Sequence, residues 1–489
     1  MTMQISRTQP APAVHARLLV GGDWYEGTGR VEVHNPARPD ELVGTIVRGT
    51  PDDVRRAVAA AKAAQPPWAA LGAHARASAI SSGLDALVQG GEERAVLYVR
   101  ENGKTLAEAR GEVLGLPDRM RSTLSYADAL ESTRALESTI GRTFVGFRPF
   151  GVVVSIVPWN APVNLAFTQI VAALLAGNAV VVKPPETSPL ALIACIEPFA
   201  RALPPGVLNV VTGLPDEIGD ALTTHPDVAK IVFTGSIRAA RTIGGNAAQT
   251  IKSVTLELGG NDAAIVFEDV DLGEATMNRM SSTVFGLAGQ VCAAIKRIYV
   301  HESVAEAFQA AFRRASDQIV VGDGLEPGVT MGPLHTAAAL ARATGLVNDA
   351  RARGARVDPV GRIADEATFA RGYFMQPNIV TSIDAGAPLV VEEQFCPSIP
   401  IVTYRDLDDA FARANDSVYG LSGSIWSKDV ERALQLARRF EAGVIGINTN
   451  KMYEPRAPLG GVKQSGIGRR GGLEGVLDYV QAQAVTTCE

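Results

Sequence analysis

The sequence predicts an α/β protein built on parallel sheets, and three observations carry that prediction. From Gly151 onward, short β-rich runs alternate with segments of helical period, the pattern of successive βαβ units. The runs are almost wholly apolar, as strands covered on both faces must be. Hydrophobic residues make up 46% of the 489-residue chain and charged residues 20%, a balance that fills a large core and is the reverse of a disordered chain.

The elements follow in order. A short β region leads into helices over the first third. Residues 53–64 carry apolar side chains on one face, Pro51-Asp52-Asp53 supplies an acidic start, and Pro66-Pro67 is expected to end the helix. Residues 77–88 and 92–100 share the helical period. Strands are then expected at 152–157, 179–182, 207–211, 229–233 and 254–258, with helices at 165–176, 190–201, 216–223 and 239–248 between them. A second α/β region runs from about Asn261 to Thr449. Residues 143–149 and 477–485 alternate polar and apolar positions, and read as edge strands or hairpin arms that pair with a second subunit.

Several function classes fall away. The 46 basic and 52 acidic residues give a net charge of −6, so no basic excess exists to neutralise nucleic-acid phosphates. The four cysteines, Cys195, Cys292, Cys396 and Cys488, show neither CxxC nor zinc spacing, so no metal is expected. The residues before Leu18 lack an apolar signal core and read as a frayed terminus. The most apolar run, 170–182, is too short to cross a bilayer. A cytoplasmic location is expected, with no membrane partner.

The chemistry-bearing candidates differ in quality. Gly466-Ile467-Gly468-Arg469-Arg470-Gly471 matches GxGxxG, but it follows no clear strand and leaves too little chain for a βαβ unit. It reads as a turn before a terminal helix. Phe233-Thr234-Gly235-Ser236 follows a strand and opens a helix, so it suits either a phosphate or a plain helix cap. A lone cysteine in an apolar setting is usually packing, but Cys292 lies among small residues in Gly286-Leu287-Ala288-Gly289-Gln290-Val291-Cys292, which leaves room for a substrate. Glu257 ends a strand before Gly259-Gly260 and is a candidate base. Pro158-Trp159-Asn160 follows the first strand of the sheet, at the carboxyl edge where open α/β sheets bind ligands.

Together with Lys183-Pro184-Pro185-Glu186, Glu392-Glu393-Gln394-Phe395 and Pro458-Leu459-Gly460-Gly461, these pieces resemble the aldehyde dehydrogenase superfamily in order and spacing, over about 18–485. The resemblance implies a Rossmann-like cofactor-binding domain (18–130 and 150–260, with 461–475 packing back), an α/β catalytic domain (261–460) and a small β oligomerisation arm (131–149 and 476–489). It implies a homodimer or homotetramer, NAD as cofactor with NADP less favoured, and an aldehyde as substrate. Cys292 would be the nucleophile, Glu257 the base that activates water, and Asn160 an oxyanion donor. Trp159, Lys183, Glu186, Gly235, Ser236, Glu393 and Phe395 would hold the dinucleotide. Ala161, Asn164, Leu165, Thr168, Gly286, Val291, Ala293, Tyr453 and Leu459 would line the substrate tunnel.

The departures from the family pattern are also legible. Gln169 and Arg470 stand where a Lys and a Glu are common, and a Gln169–Arg470 contact is one expectation. Cys396 replaces a Gly and reads as a small buried filler. Leu459 replaces a Phe. The tunnel therefore looks roomy, suited to a bulky, aromatic or polar-substituted aldehyde. Thr168 stands where succinic-semialdehyde members carry Arg. Lys451 and Arg456 read as solvated loop charges. A CoA-acylating enzyme and a non-catalytic NAD-binding homologue are the alternatives.

Overall fold

The computed structural model describes residues 12–450 and 454–488. Most of the expected frayed terminus, Lys451 and Tyr453 lie outside them. The described residues form five sheets, and three of them frame the site and the arm. The first has eight strands in the order Gly466–Ile467, Ser253–Glu257, Val228–Thr234, Val152–Ile156, Ala179–Lys183, Leu208–Val210, Leu18–Val20 and Asp23–Tyr25. The central five run parallel, and both edges are closed by antiparallel strands. Every residue of Ala179–Lys183 is buried, which is why that run shows no alternation. From Val152–Ile156 the chain steps outward to Ala179–Lys183 and Leu208–Val210, then returns to the other side for Val228–Thr234 and Ser253–Glu257. The order reverses between Val152–Ile156 and Val228–Thr234, and a crevice opens there at the carboxyl ends.

The second sheet has seven strands, in the order Arg356–Pro359, Asn378–Thr381, Ser398–Tyr404, Ile295–His301, Asp262–Val266, Ser422–Trp426 and Val444–Ile447. All pair in parallel except Arg356–Pro359. The third sheet joins Arg134–Ser138, Gly141–Pro149 and Val480–Thr487. The two alternating stretches read from the sequence pair with each other, Val480 opposite Pro149 through to Thr487 opposite Arg142.

One expectation is corrected. The first helix does not stop at Pro66-Pro67 but runs Pro51–Ala70. Its start is fixed by a capping box between Thr50 and Asp53. Its end is fixed by tertiary contacts that outweigh two missing backbone donors. Gln65 Nε2 donates to Gly177 O at 2.9 Å, and Trp68, fully buried, donates Nε1 to Leu174 O at 2.9 Å. The Gly-rich segment behaves as a turn. Gly466–Ile467 is a two-residue edge strand, Gly468, Gly471 and Gly472 take φ of 88°, 68° and 62°, and a six-residue helix follows. Among the described residues no helix is long and apolar enough to cross a membrane.

Candidate active site

The register of the first sheet sets the candidate residues side by side. Thr234 lies opposite Glu257, Phe233 opposite Ile156, and Ile156 opposite Lys183. Four adjacent strands, about 4.8 Å apart, therefore deliver Glu257, Gly235-Ser236, Trp159-Asn160 and Lys183-Glu186 along one carboxyl edge. Gly235 N–H donates to Glu257 O at 3.0 Å, tying two of these ends together.

Cys292 arrives from the second sheet, on a loop with an unusual backbone. Leu287, Ala288 and Gly289 are consecutively left-handed, with φ of 50°, 53° and 74°. For non-glycine residues that conformation is strained and needs surrounding support. Gln290 supplies much of it. Its Nε2 donates to Leu287 O (3.0 Å) and Pro333 O (3.3 Å), and its Oε1 accepts from His335 N (2.9 Å). Its carbonyl accepts from Asn160 Nδ2 at 3.0 Å, which bridges the two sheets beside the cysteine. That bond uses one proton of the Asn160 amide and leaves the other for a ligand. Beyond the cysteine, Lys296 Nζ donates to Val291 O at 2.8 Å and to Cys292 O at 2.6 Å. Asn450 Nδ2 holds Ala293 O at 2.5 Å. The backbone carrying the thiol is thus fixed on both sides. Burial pushes the thiol pKa up, while the cations Arg470 and Lys296 pull it back.

Glu393 comes from the same side. Its Oε1 accepts from Gly260 N–H at 3.1 Å and lies 3.7 Å from Lys296 Nζ. A Cβ on Gly259 would meet the Glu393 carboxylate at 2.1 Å, so a larger residue there would displace that carboxylate. Phe395, at φ 50°, sets its ring edge-on to Trp159, with centroids 6.0 Å apart. Lys183 Nζ donates to Pro184 O (3.2 Å) and Glu186 Oε2 (3.1 Å). An ammonium has three protons, so one remains for a ligand hydroxyl. Ser236 caps the helix Ile237–Ala248 by accepting from Ala239 N–H. The other N–H groups of that first turn have no helical partner and suit a phosphate.

Residues 24–485 match the aldehyde dehydrogenase family. The chain belongs to that family. It is 36% identical over 480 residues to the NADP(+) succinate-semialdehyde dehydrogenase GabD of Escherichia coli K12, covering 95% of this chain and 96% of that one. It is 35% identical over 503 residues to the phenylacetaldehyde dehydrogenase of Pseudomonas fluorescens, covering 99% of each. Among solved structures, a Staphylococcus aureus betaine aldehyde dehydrogenase in complex with NAD+ superposes with a TM-score of 0.92 at 31% identity, covering 96% of this chain and 94% of that one. The chain is therefore an NAD(P)-dependent enzyme that oxidises an aldehyde to an acid.

In this aldehyde dehydrogenase the Glu257 carboxyl is buried and pushed up to about 7 by loss of solvent, partly offset by Arg470 and Arg469. The expected Gln169–Arg470 contact is absent. Gln169 turns inward, accepting from Ser155 Oγ at 2.5 Å and donating to Thr234 Oγ1 at 3.2 Å. Arg470 instead faces Glu257 directly, with Nε 3.4 Å from Oε2.

The helix Pro162–Leu175 is buried over nearly its whole length. Asn164 and Thr168, one turn apart, are its only half-exposed members, and Leu165 is buried. Asn164 Oδ1 is buried and has no hydrogen-bond partner. Ala161, Gly286, Val291, Ala293 and Leu459 are each half-buried. Arg456 is exposed and paired with Glu454 at 2.7 Å, as a solvated loop charge would be. Cys396 is a buried filler whose thiol is pushed up to about 12 by burial.

Sequence reading missed the residues that hold the site. Lys296, His335, Gln290 and Ser465 are all buried. His335 stacks on Trp159 at 4.3 Å, donates or accepts at Thr187 Oγ1 (2.7 Å), and is lowered to about 4 by burial. Lys104 is the other. Its Nζ meets Glu112 Oε2 (2.6 Å), Tyr98 OH (2.7 Å) and Asn160 O (3.4 Å), while Glu112 Oε1 accepts from Asn164 N–H (2.8 Å). Lys104→Met strands a buried carboxylate and is expected to cost about 3 kcal/mol of stability. Urea unfolding measures it, and Lys104→Met with Glu112→Leu should recover most of the loss.

Proposed function

We propose that Cys292 attacks the aldehyde carbonyl, that Asn160 Nδ2–H and the Cys292 backbone N–H stabilise the resulting oxyanion, and that Glu257 deprotonates the water that hydrolyses the thioester. The observation that supports this best is the two-sided fixation of Cys292, by Asn160 and Gln290 before it and by Lys296 after it. A fixed nucleophile beside a donor amide is what acyl chemistry needs. NAD(P), when bound, accepts the hydride. Lys183 and Glu186 would hold the adenosine ribose, Ser236 with Gly235 the pyrophosphate, and Glu393, Phe395 and Trp159 the nicotinamide end. The spare Lys183 proton favours that fit. Glu186 would repel a 2′-phosphate, so NAD is preferred over NADP despite the NADP(+) in the name of the E. coli relative. A kcat/KM ratio of at least about tenfold for NAD is expected, since about 1.4 kcal/mol of repulsion gives that much. Glu186→Ser should narrow it, and equal use of both cofactors by the wild type would refute this.

We take the eight-stranded sheet as the cofactor unit, residues 261–460 as the catalytic unit, and the three-stranded sheet as the oligomerisation arm of a dimer or tetramer, in a cytoplasmic enzyme. The half-exposed Asn164 and Thr168 and the small tunnel residues support a bulky or aromatic aldehyde with a polar substituent, for which Asn164 Oδ1 accepts a hydrogen bond. The test is the transient of NADH formation with benzaldehyde-type, indole-type, medium aliphatic and succinic semialdehyde substrates, with and without CoA. A burst followed by slower, CoA-independent turnover is expected, fastest on a ring-bearing aldehyde. CoA dependence would favour an acylating enzyme, and fastest turnover of succinic semialdehyde would refute the substrate assignment.

A further inference from the structure

The pair formed by Arg470 and Glu257 is held tightly at its backbone and loosely at its side chains. Glu257 sits in register with Gly466 on the edge strand and gives its carbonyl to Gly235. Arg470 exchanges two backbone hydrogen bonds with Leu459, both 2.7 Å. Between the side chains, Nε lies 3.4 Å from Oε2 in a geometry that falls short of a hydrogen bond. Glu257 Oε1 is buried and has no partner. A buried carboxylate oxygen without a donor is costly unless it has work to do.

We propose that Arg470 is a positioning residue for thioester hydrolysis, drawing Glu257 Oε2 to its guanidinium so that Oε1 is the oxygen left to take a proton from water. This rests on the reading of Glu257 as the base. In the step, the water oxygen bonds to the thioester carbon, its proton passes to Oε1, and the carbon–sulfur bond breaks to return the Cys292 thiolate. Arg470 touches none of the reacting atoms. It fixes which oxygen is available and keeps the carboxylate charged within a site that burial would otherwise neutralise. The other charges facing Glu257 are Arg469, whose Nη1 is held by Gly461 O and Gly468 O, and Asp478, which takes the Thr255 hydroxyl and lies 3.2 Å from Lys230. The buried Tyr479 phenol is the remaining titratable neighbour. Only Arg470 makes an ion pair with Glu257 among the described residues.

The test follows decay of preformed acyl-enzyme between pH 6 and 9.5, in wild type, Arg470→Met and Arg470→Lys. Because Arg470 also lowers the Cys292 thiol, along with Lys296 and against Glu393 and Asp262, the decay is read apart from acylation. Arg470→Met is expected to keep the NADH burst while its hydrolysis midpoint moves up by about one unit. That shift leaves roughly a fifth of the rate at pH 7 and near-complete rate at pH 9, as the ionised fraction dictates. Arg470→Lys should return most of the midpoint. An unmoved midpoint in Arg470→Met, or a shift that Lys does not reverse, overturns the proposal. Undiminished hydrolysis in Glu257→Gln would instead overturn the assignment of the base.

Discussion

Cys292→Ala is expected to reduce NADH formation by at least about 10⁴-fold on every aldehyde, because it removes the proposed nucleophile that splits the reaction into two steps. The fold should survive the change. The loop is fixed through backbone carbonyls of Val291, Cys292 and Ala293 and through Gln290, none of which needs the sulfur. Cofactor binding should therefore be retained, and NAD titration by fluorescence quenching checks that the variant is intact. Cys396 cannot substitute, since it is buried with its thiol pushed up to about 12. Residual turnover within tenfold of wild type would show that the nucleophile has been misassigned.

Glu257→Gln should separate the two halves of the reaction. The burst of NADH persists, and steady turnover falls by about 10³-fold, the loss of roughly 4 kcal/mol of barrier lowering by a positioned base. The sign of the pH effect follows from the carboxyl at about 7. Below that pH wild-type Glu257 is protonated and cannot accept from water, so hydrolysis rises as pH passes upward through 7. In Glu257→Gln that rise disappears. A variant that loses the burst together with turnover would place Glu257 on the thiol instead.

The parallel strands and the placement of the candidate site residues were legible because each obeys a local rule. Ala179–Lys183 is apolar because it is covered on both faces, and Glu257, Trp159 and Ser236 follow strand ends where open sheets bind ligands. What stayed hidden depends on distant partners. The helix through Pro66-Pro67 persists because Trp68 and Gln65 reach Leu174 and Gly177, which no local propensity encodes. Gln169 was expected beside Arg470, yet its amide is better satisfied between Ser155 and Thr234. Lys104 and Lys296 look like surface lysines in the sequence. Only the fold shows that each gives its ammonium to carbonyls around Asn160 and Cys292.

The antiparallel closure of the first sheet has a consequence for how the protein is made. The strand Ser253–Glu257 carries the proposed base but remains an open edge until Gly466–Ile467 pairs with it, and Gly141–Pro149 waits for Val480–Thr487. A chain emerging from the ribosome thus exposes two unpaired edges between the synthesis of Glu257 and that of Gly466, and unpaired edges invite pairing with neighbouring nascent chains. Premature termination upstream of residue 466 should yield not a weaker enzyme but an insoluble one, and chaperone dependence should peak late in translation.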